Sequence, residues 1–204
     1  MALAVSRLDP DDTTIRFERT LAAFREIRTE VDSDMTPDGE ASFRDKLRGS
    51  ATFEKPVLIA ESGDEVVGLC RMWMFHIEGN TEKAEAQIEV RPGHRRRGAG
   101  TALLEASLDI CEANGRTNLT GAGVTSDAVA GFWETAGAKL GLVERESRLW
   151  LADTDPELMQ QWIDARTERA ADYRLVHYRG HTPPELSSPV ATMMTAMNDA
   201  PTDD

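Results

Sequence analysis

Arg91, His94, Arg95, Arg96 and Arg97 crowd into one short stretch of a chain whose formal net charge is −13. So basic an island in an acidic protein needs an anionic partner more than the rest of the molecule does. Gly98, Ala99, Gly100 and Thr101 follow it directly and open a helical pattern, in which Leu103, Leu104, Leu108 and Cys111 form one stripe. Ahead of the island, Ala86, Ile88 and Val90 alternate with Glu85, Gln87 and Glu89 in the manner of a strand. A strand, a basic glycine turn and a helix start together make an anion site. The first-turn amides have no helical acceptor, and the helix macrodipole places partial positive charge beside them. Gly98 and Gly100 let the backbone approach a diphosphate without an intervening Cβ, and the arginines add charge for outlying phosphates.

Several families use this device, and the surrounding residues discriminate among them. A dinucleotide fingerprint would need a third glycine at Leu103, and a P-loop would need Gly-Lys followed by Ser or Thr; neither is present. A nucleic-acid surface would need aromatic interleaving or a wider basic field. The net charge of −13 argues against nucleic acid or an anionic membrane as partner and mildly favours a cationic or amine-bearing one. Cys70 and Cys111 stand apart with no C-x-x-C and no histidine cluster, so no metal is expected and both read as small buried hydrophobes in a reducing compartment. No apolar run approaches the roughly 20 residues of a membrane span, and Met1–Leu8 lacks the features of a secretory signal. The expected location is the cytoplasm.

The elements that position the turn follow from periodicity. Residues 2–8 predict an edge strand, and Ile15, Phe17, Leu21, Phe24 and Ile27 a helix, with a second short helix over 40–48. Strands are expected over 56–60, 65–75 and 84–90, then the helix from about Ala99 to the Asn114-Gly115 stop, then a weak strand over 118–123. Ser126 or Asp127 caps a further helix carrying Val129, Phe132 and Trp133, and two short strands are expected over 139–143 and 146–151. The result is an α/β (α+β) domain with a mostly antiparallel mixed sheet, over residues 1–152.

Arg95, Gly98 and Gly100 match (Gln/Arg)-x-x-Gly-x-(Gly/Ala), entered through Ile88-Glu89-Val90-Arg91-Pro92 and left through Thr101-Ala102-Leu103-Leu104. With the element order, this resembles the acetyl-CoA loop of the GNAT superfamily of N-acetyltransferases. The resemblance implies a sheet with splayed central strands and acetyl-CoA as cosubstrate, lying between the strand that ends at Val90 and the strand near 119–123. Ile88, Glu89 and Val90 would pair through their main chain with the pantetheine arm. The amides from Arg96 to Thr101, with Arg95, Arg97, Gly98, Ala99 and Gly100, would hold the pyrophosphate. Direct transfer to a small-molecule or peptide amine is implied, with no metal.

Glu85 and Glu89 are the candidate bases for the amine proton, and the main-chain amide of Val90 the candidate donor to the thioester carbonyl. Many relatives carry a tyrosine that protonates the departing sulfur, after Asn-x-x-Ala-x-x-x. Aligned on Gly137, this chain has Trp133 at the tyrosine position and Ser126 at the asparagine position. An indole is no acid at neutral pH, so Trp133 is expected to pack on the pantetheine arm and water or Ser126 to supply the proton. The alternative is a domain that binds acetyl-CoA in a structural or regulatory role without turnover.

Beyond 152, a linker helix is expected over 153–172 and a strand–helix pair over 173–204. The strand is read from Tyr173–His177. The helix starts at Thr182-Pro183-Pro184-Glu185 and carries Leu186, Val190, Met193, Met194 and Met197 as an apolar stripe. This pair resembles the opening of a second domain in tandem GNAT proteins of the mycothiol synthase-like kind. The expectation is therefore the first half of such an arrangement, with a homodimer through the extension as one way to cover it.

Overall fold

The structure is a computed structural model of the chain and describes residues 2–196 apart from Asp32, Met35, Glu78, Thr125, Glu146 and the side chain of Thr167. It divides into two compact units, 1–143 and 144–204. The first runs β1 (Leu3–Arg7), α1 (Ile15–Val31), α2 (Glu40–Leu47), β2 (Phe53–Glu54), β3 (Val57–Ser62), β4 (Glu65–Phe75), β5 (Lys83–Val90), α3 (Ala99–Ala113), β6 (Asn118–Gly121) and α4 (Asp127–Thr135). The strands form one sheet in the order β1-β3-β4-β5-β6, with β2 also on β4. Every pairing is antiparallel except β5 with β6.

Strand alternation divides the core into two layers. Ile59 and Leu69 turn to one face and pack with Phe17, Phe24 and Ile27 of α1 and Phe43 and Leu47 of α2. Ala60, Cys70, Met72, Ala84 and Ala86 turn to the other and pack with Leu103 and Cys111 of α3. β4 is buried on both faces, which explains its nearly unbroken apolar run Val66–Met74. Each such side chain contributes about 1.5–3 kcal/mol. Cys70 is part of this packing: its Sγ lies 3.2 Å from Ser107 Oγ, and burial pushes the thiol up to about 11. Helix α3 is turned slightly from the expected stripe. Ser107 is buried, donating to the Leu103 carbonyl at 2.7 Å, whereas Leu108 is 48% exposed.

Three expected strands are corrected. Residues 139–143 and the described part of 146–151 form no ladder, and Leu151–Asp153 is a 3₁₀ turn. Tyr173–His177 forms none either. Alternation of apolar residues is a strand only where another strand supplies hydrogen bonds; without one, Leu140, Leu142, Tyr173 and Leu175 lie exposed. The second unit contains helices α5 (Pro156–Arg169), capped by Asp155 accepting from the Glu157 amide at 2.9 Å, and α6 (Pro184–Ala196). On α6 Met193 and Met194 are exposed; Met197 of the expected stripe lies outside the described residues. Among the described residues no helix is long and apolar enough to cross a membrane.

Candidate functional site

β5 and β6 pair only from Lys83↔Asn118 to Ala86↔Gly121. Past that point the ladder ends while β5 continues to Val90, so the sheet forks. The Arg91 amide donates to Val67 on β4, and the Ala122 amide to Ala86 from the β6 side. Alternation then turns the main-chain groups of Ile88 and Val90 toward the fork. The apex is made by close packing. A Cβ on Gly121 would lie only 2.1 Å from the Trp133 ring, so α4 sits on β6 through an indole against a bare Cα. Trp133 meets Phe132 edge-on, with centroids 5.1 Å apart, and Phe132 in turn lies 3.3 Å from where a Cβ on Gly100 would be.

The open end of the fork is the α3 N-terminus. Gly98 caps that helix in the left-handed region (φ 88°), where an L side chain is strained, and a Cβ there would meet nothing within 4 Å. Arg96 also takes a positive φ, 60°. Ala99 is buried beneath the turn, while Gly98 and Thr101 are exposed. The arginines divide into two kinds. Arg91 is bound to Glu26 and Glu65 (2.7 and 2.6 Å), and Arg95 to the Val90 carbonyl (3.1 Å) and to both oxygens of Glu30. Arg96 and Arg97 are exposed and make no hydrogen bond or ion pair among the described residues. An open cradle of helix amides with two unengaged cations suits an anionic diphosphate.

On the α1 face of the sheet, the expected acid–base residues separate. Glu89 pairs with Arg71 at 2.8 Å, both nearly buried, and the same Nη2 donates to Gln87 at 2.8 Å. The Arg71 guanidinium lies 5.0 Å from the Phe24 ring centroid, and its Nε has no partner among the described residues. Glu85, by contrast, is exposed and has no partner among the described residues; it stands opposite Trp73 in the β4–β5 register. Ser126 is occupied as the N-cap of α4, its Oγ accepting from the Val129 amide at 3.3 Å. Both tyrosines, Tyr173 and Tyr178, belong to the second unit.

Sequence reasoning missed the Arg71–Gln87–Glu89 set and the Phe132 contact. The first left a signal, a lone charge within the apolar run of β4, and a buried charge must have a partner. Among the described residues no group of three His, Cys, Asp or Glu side chains gathers as a metal site would require.

Residues 21–138 match the family model described as the acetyltransferase (GNAT) family. Comparison with curated protein sequences gave no match. Among solved structures, an aminoglycoside acetyltransferase from an uncultured soil metagenomic sample, in complex with sisomicin, superposes with a TM-score of 0.58 at 17% identity, over 72% of this chain and 97% of its own. A ribosomal-protein-alanine N-acetyltransferase from Brucella melitensis gives 0.51 at 14% identity, over 72% and 100%. A tandem GNAT protein from the clavulanic acid biosynthesis pathway gives 0.64 at 22% identity, over 93% of this chain but only 59% of its own. The fold is thus shared with acetyltransferases, and the match over residues 21–138 places the chain in the GNAT acetyltransferase family.

Proposed function

We propose that the first unit is an acetyl-CoA-dependent N-acetyltransferase that transfers acetyl directly to a small-molecule or peptide amine. The observation that carries the reading is the fork between β5 and β6, ending at Ala86/Gly121 and opening onto the Gly98-capped helix with Arg96 and Arg97 unengaged. The amides from Arg96 to Thr101 receive the pyrophosphate, and Ile88 and Val90 offer strand-like hydrogen bonds to the pantetheine arm. The Val90 amide donates to the thioester carbonyl. Arg95 already engages the Val90 carbonyl, which keeps the end of β5 fixed.

Glu85 is the carboxylate free to accept the amine proton, directly or through water. Glu89 is committed to Arg71 and acts by holding β5 and β4 in place. As the amine nitrogen bonds to the carbonyl carbon, the C–S bond breaks and the sulfur leaves with the electron pair. Water supplies its proton, because the Ser126 hydroxyl is anchored at the α4 cap and neither it nor the Trp133 indole is an acid at neutral pH. The relatedness to an aminoglycoside acetyltransferase and a ribosomal-protein-alanine N-acetyltransferase supports an amine acceptor.

The second reading, a domain that keeps acetyl-CoA without turning it over, is favoured by one observation: the indole at the usual tyrosine position is wedged on Gly121. Thiol release from acetyl-CoA across a panel of amines, run beside a binding titration, separates the two. Binding with acceptor-dependent thiol release is expected; binding with none would establish the silent domain, and no binding would sink both.

For residues 144–204 we infer part of a tandem arrangement, with α5 as linker and α6 within a second-domain opening. The supporting observation is that the likeness to the tandem protein extends over 93% of the chain, against 72% for the two acetyltransferases above. Light scattering on the full chain and on one ending at Ala152 tests it. A tail that is rapidly proteolysed from a monomer would overturn it.

A further inference from the structure

One charge on the α1 face is not used by the chemistry above. Lys55, half-buried on the bend between β2 and β3, holds its Nζ 4.4 Å from the Trp73 ring centroid. It makes no ion pair among the described residues. Arg71 lies on the same side, 6.0 Å from that ring, with its own charge taken by Glu89. Burial, and next the Arg71 charge, hold the Lys55 ammonium below the ordinary lysine range, and Asp45 opposes this only weakly. The neighbouring Glu54 lies 3.8 Å from His76. An ammonium kept partly out of water beside a guanidinium is costly until an anion joins it.

Across β4 the row continues. Trp73 pairs in register with Glu85, exposed and unpartnered, and Glu85 pairs with Thr120 of β6 at the base of the fork. The cation seated on the indole and the carboxylate in register beside that indole therefore share one face of the sheet, the carboxylate next to the fork and the cation at the strand beyond it. Resting on the acetyl-transfer reading, we infer that the acceptor is an amine that also carries a carboxylate, lying along Trp73 with its carboxylate at Lys55 and its amine at Glu85. Lys55 is then the specificity-determining residue. A polycationic acceptor would meet an uncompensated ammonium at that end, whereas an amino-acid-type acceptor is complementary at both.

The test compares α-amino acids with their own amides, for example L-phenylalanine with L-phenylalaninamide and L-glutamate with its α-amide. Affinity is measured by titration of the full chain in the presence of CoA, and turnover by thiol release from acetyl-CoA. In at least one pair the acid is expected to bind about tenfold or more tightly than the amide, a difference of about 1.4 kcal/mol. Lys55→Met should reduce that ratio to about twofold or less and Lys55→Arg should restore it. Neither should alter the affinity for acetyl-CoA. Amides that match their acids in every pair, or acids that never bind, overturn the inference while leaving acetyl transfer standing. Failure of the unmutated chain to bind acetyl-CoA would instead overturn the transfer reading itself.

Discussion

At the mouth of the fork the groups turned outward are main-chain amides, set by one left-handed glycine and flanked by two loose arginines. On the α1 face of the same sheet they are side chains fixed by one another: Arg71 on Glu89 and Gln87, with the Lys55 ammonium over Trp73. The first region draws on backbone geometry and pays nothing in buried charge. The second removes charges from water and so depends on each partner being present. Substitutions should therefore affect the mouth as acetyl-CoA affinity and the Arg71–Glu89 pair as stability.

The largest effect is expected on the α1 face. Arg71→Met strands a nearly buried carboxylate and should cost about 3–5 kcal/mol of stability in a denaturant titration. Arg71→Met/Glu89→Gln should recover most of that loss, since neither charge is then left alone. A single variant as stable as the double would break the contrast. At the mouth, Gly98→Glu puts a side chain at φ 88° and a negative charge at the proposed pyrophosphate position. Affinity for acetyl-CoA should fall by about 100-fold, roughly 2.7 kcal/mol, with a stability cost of only about 1–2 kcal/mol from backbone strain. Unchanged affinity would mean the phosphates bind elsewhere. The smallest effect belongs to Arg96→Ala/Arg97→Ala. Binding should weaken by about three- to tenfold at low salt and the loss should shrink at high salt, with the melting temperature unmoved. A lowered melting temperature would show that these arginines hold structure after all.

The same contrast explains what could be read from the sequence. The geometry of the mouth was legible because part of it is written in residue type, a glycine where φ is positive at the helix start. The arginine run alone did not show that Arg91 and Arg95 are taken by glutamates and that Arg96 and Arg97 are not. The α1 face was not legible, because it depends on register. Glu89 is opposite Leu69 and reaches Arg71 only diagonally, a relation that no spacing within β5 encodes. Glu85 and Glu89 look equivalent by alternation, yet one is unpartnered and the other is spent on an ion pair. The expected strands at 139–143 and 173–177 failed for a related reason, since alternation describes one segment and a strand requires two. On α3, a single buried hydroxyl, Ser107, shifted the packed stripe away from Leu108.

The fork also sets the order in which the domain can assemble. β3, β4 and β5 are consecutive antiparallel neighbours joined by local turns, whereas β6 is separated from β5 by the whole of α3 and pairs with it in parallel. Parallel pairing across such a crossover pays its loop-closure entropy before any contact repays it. The β6 ladder has four residue pairs against seven between β4 and β5. Beyond them it is retained by amide bonds at both ends (Asn118 to Glu82, Ala122 to Ala86), by Leu119 in the core and by the Trp133 ring on Gly121, so this contact is expected to open before the meander does. A molecule could keep its meander intact and still lose the fork, so loss of ligand binding on warming should precede loss of the sheet.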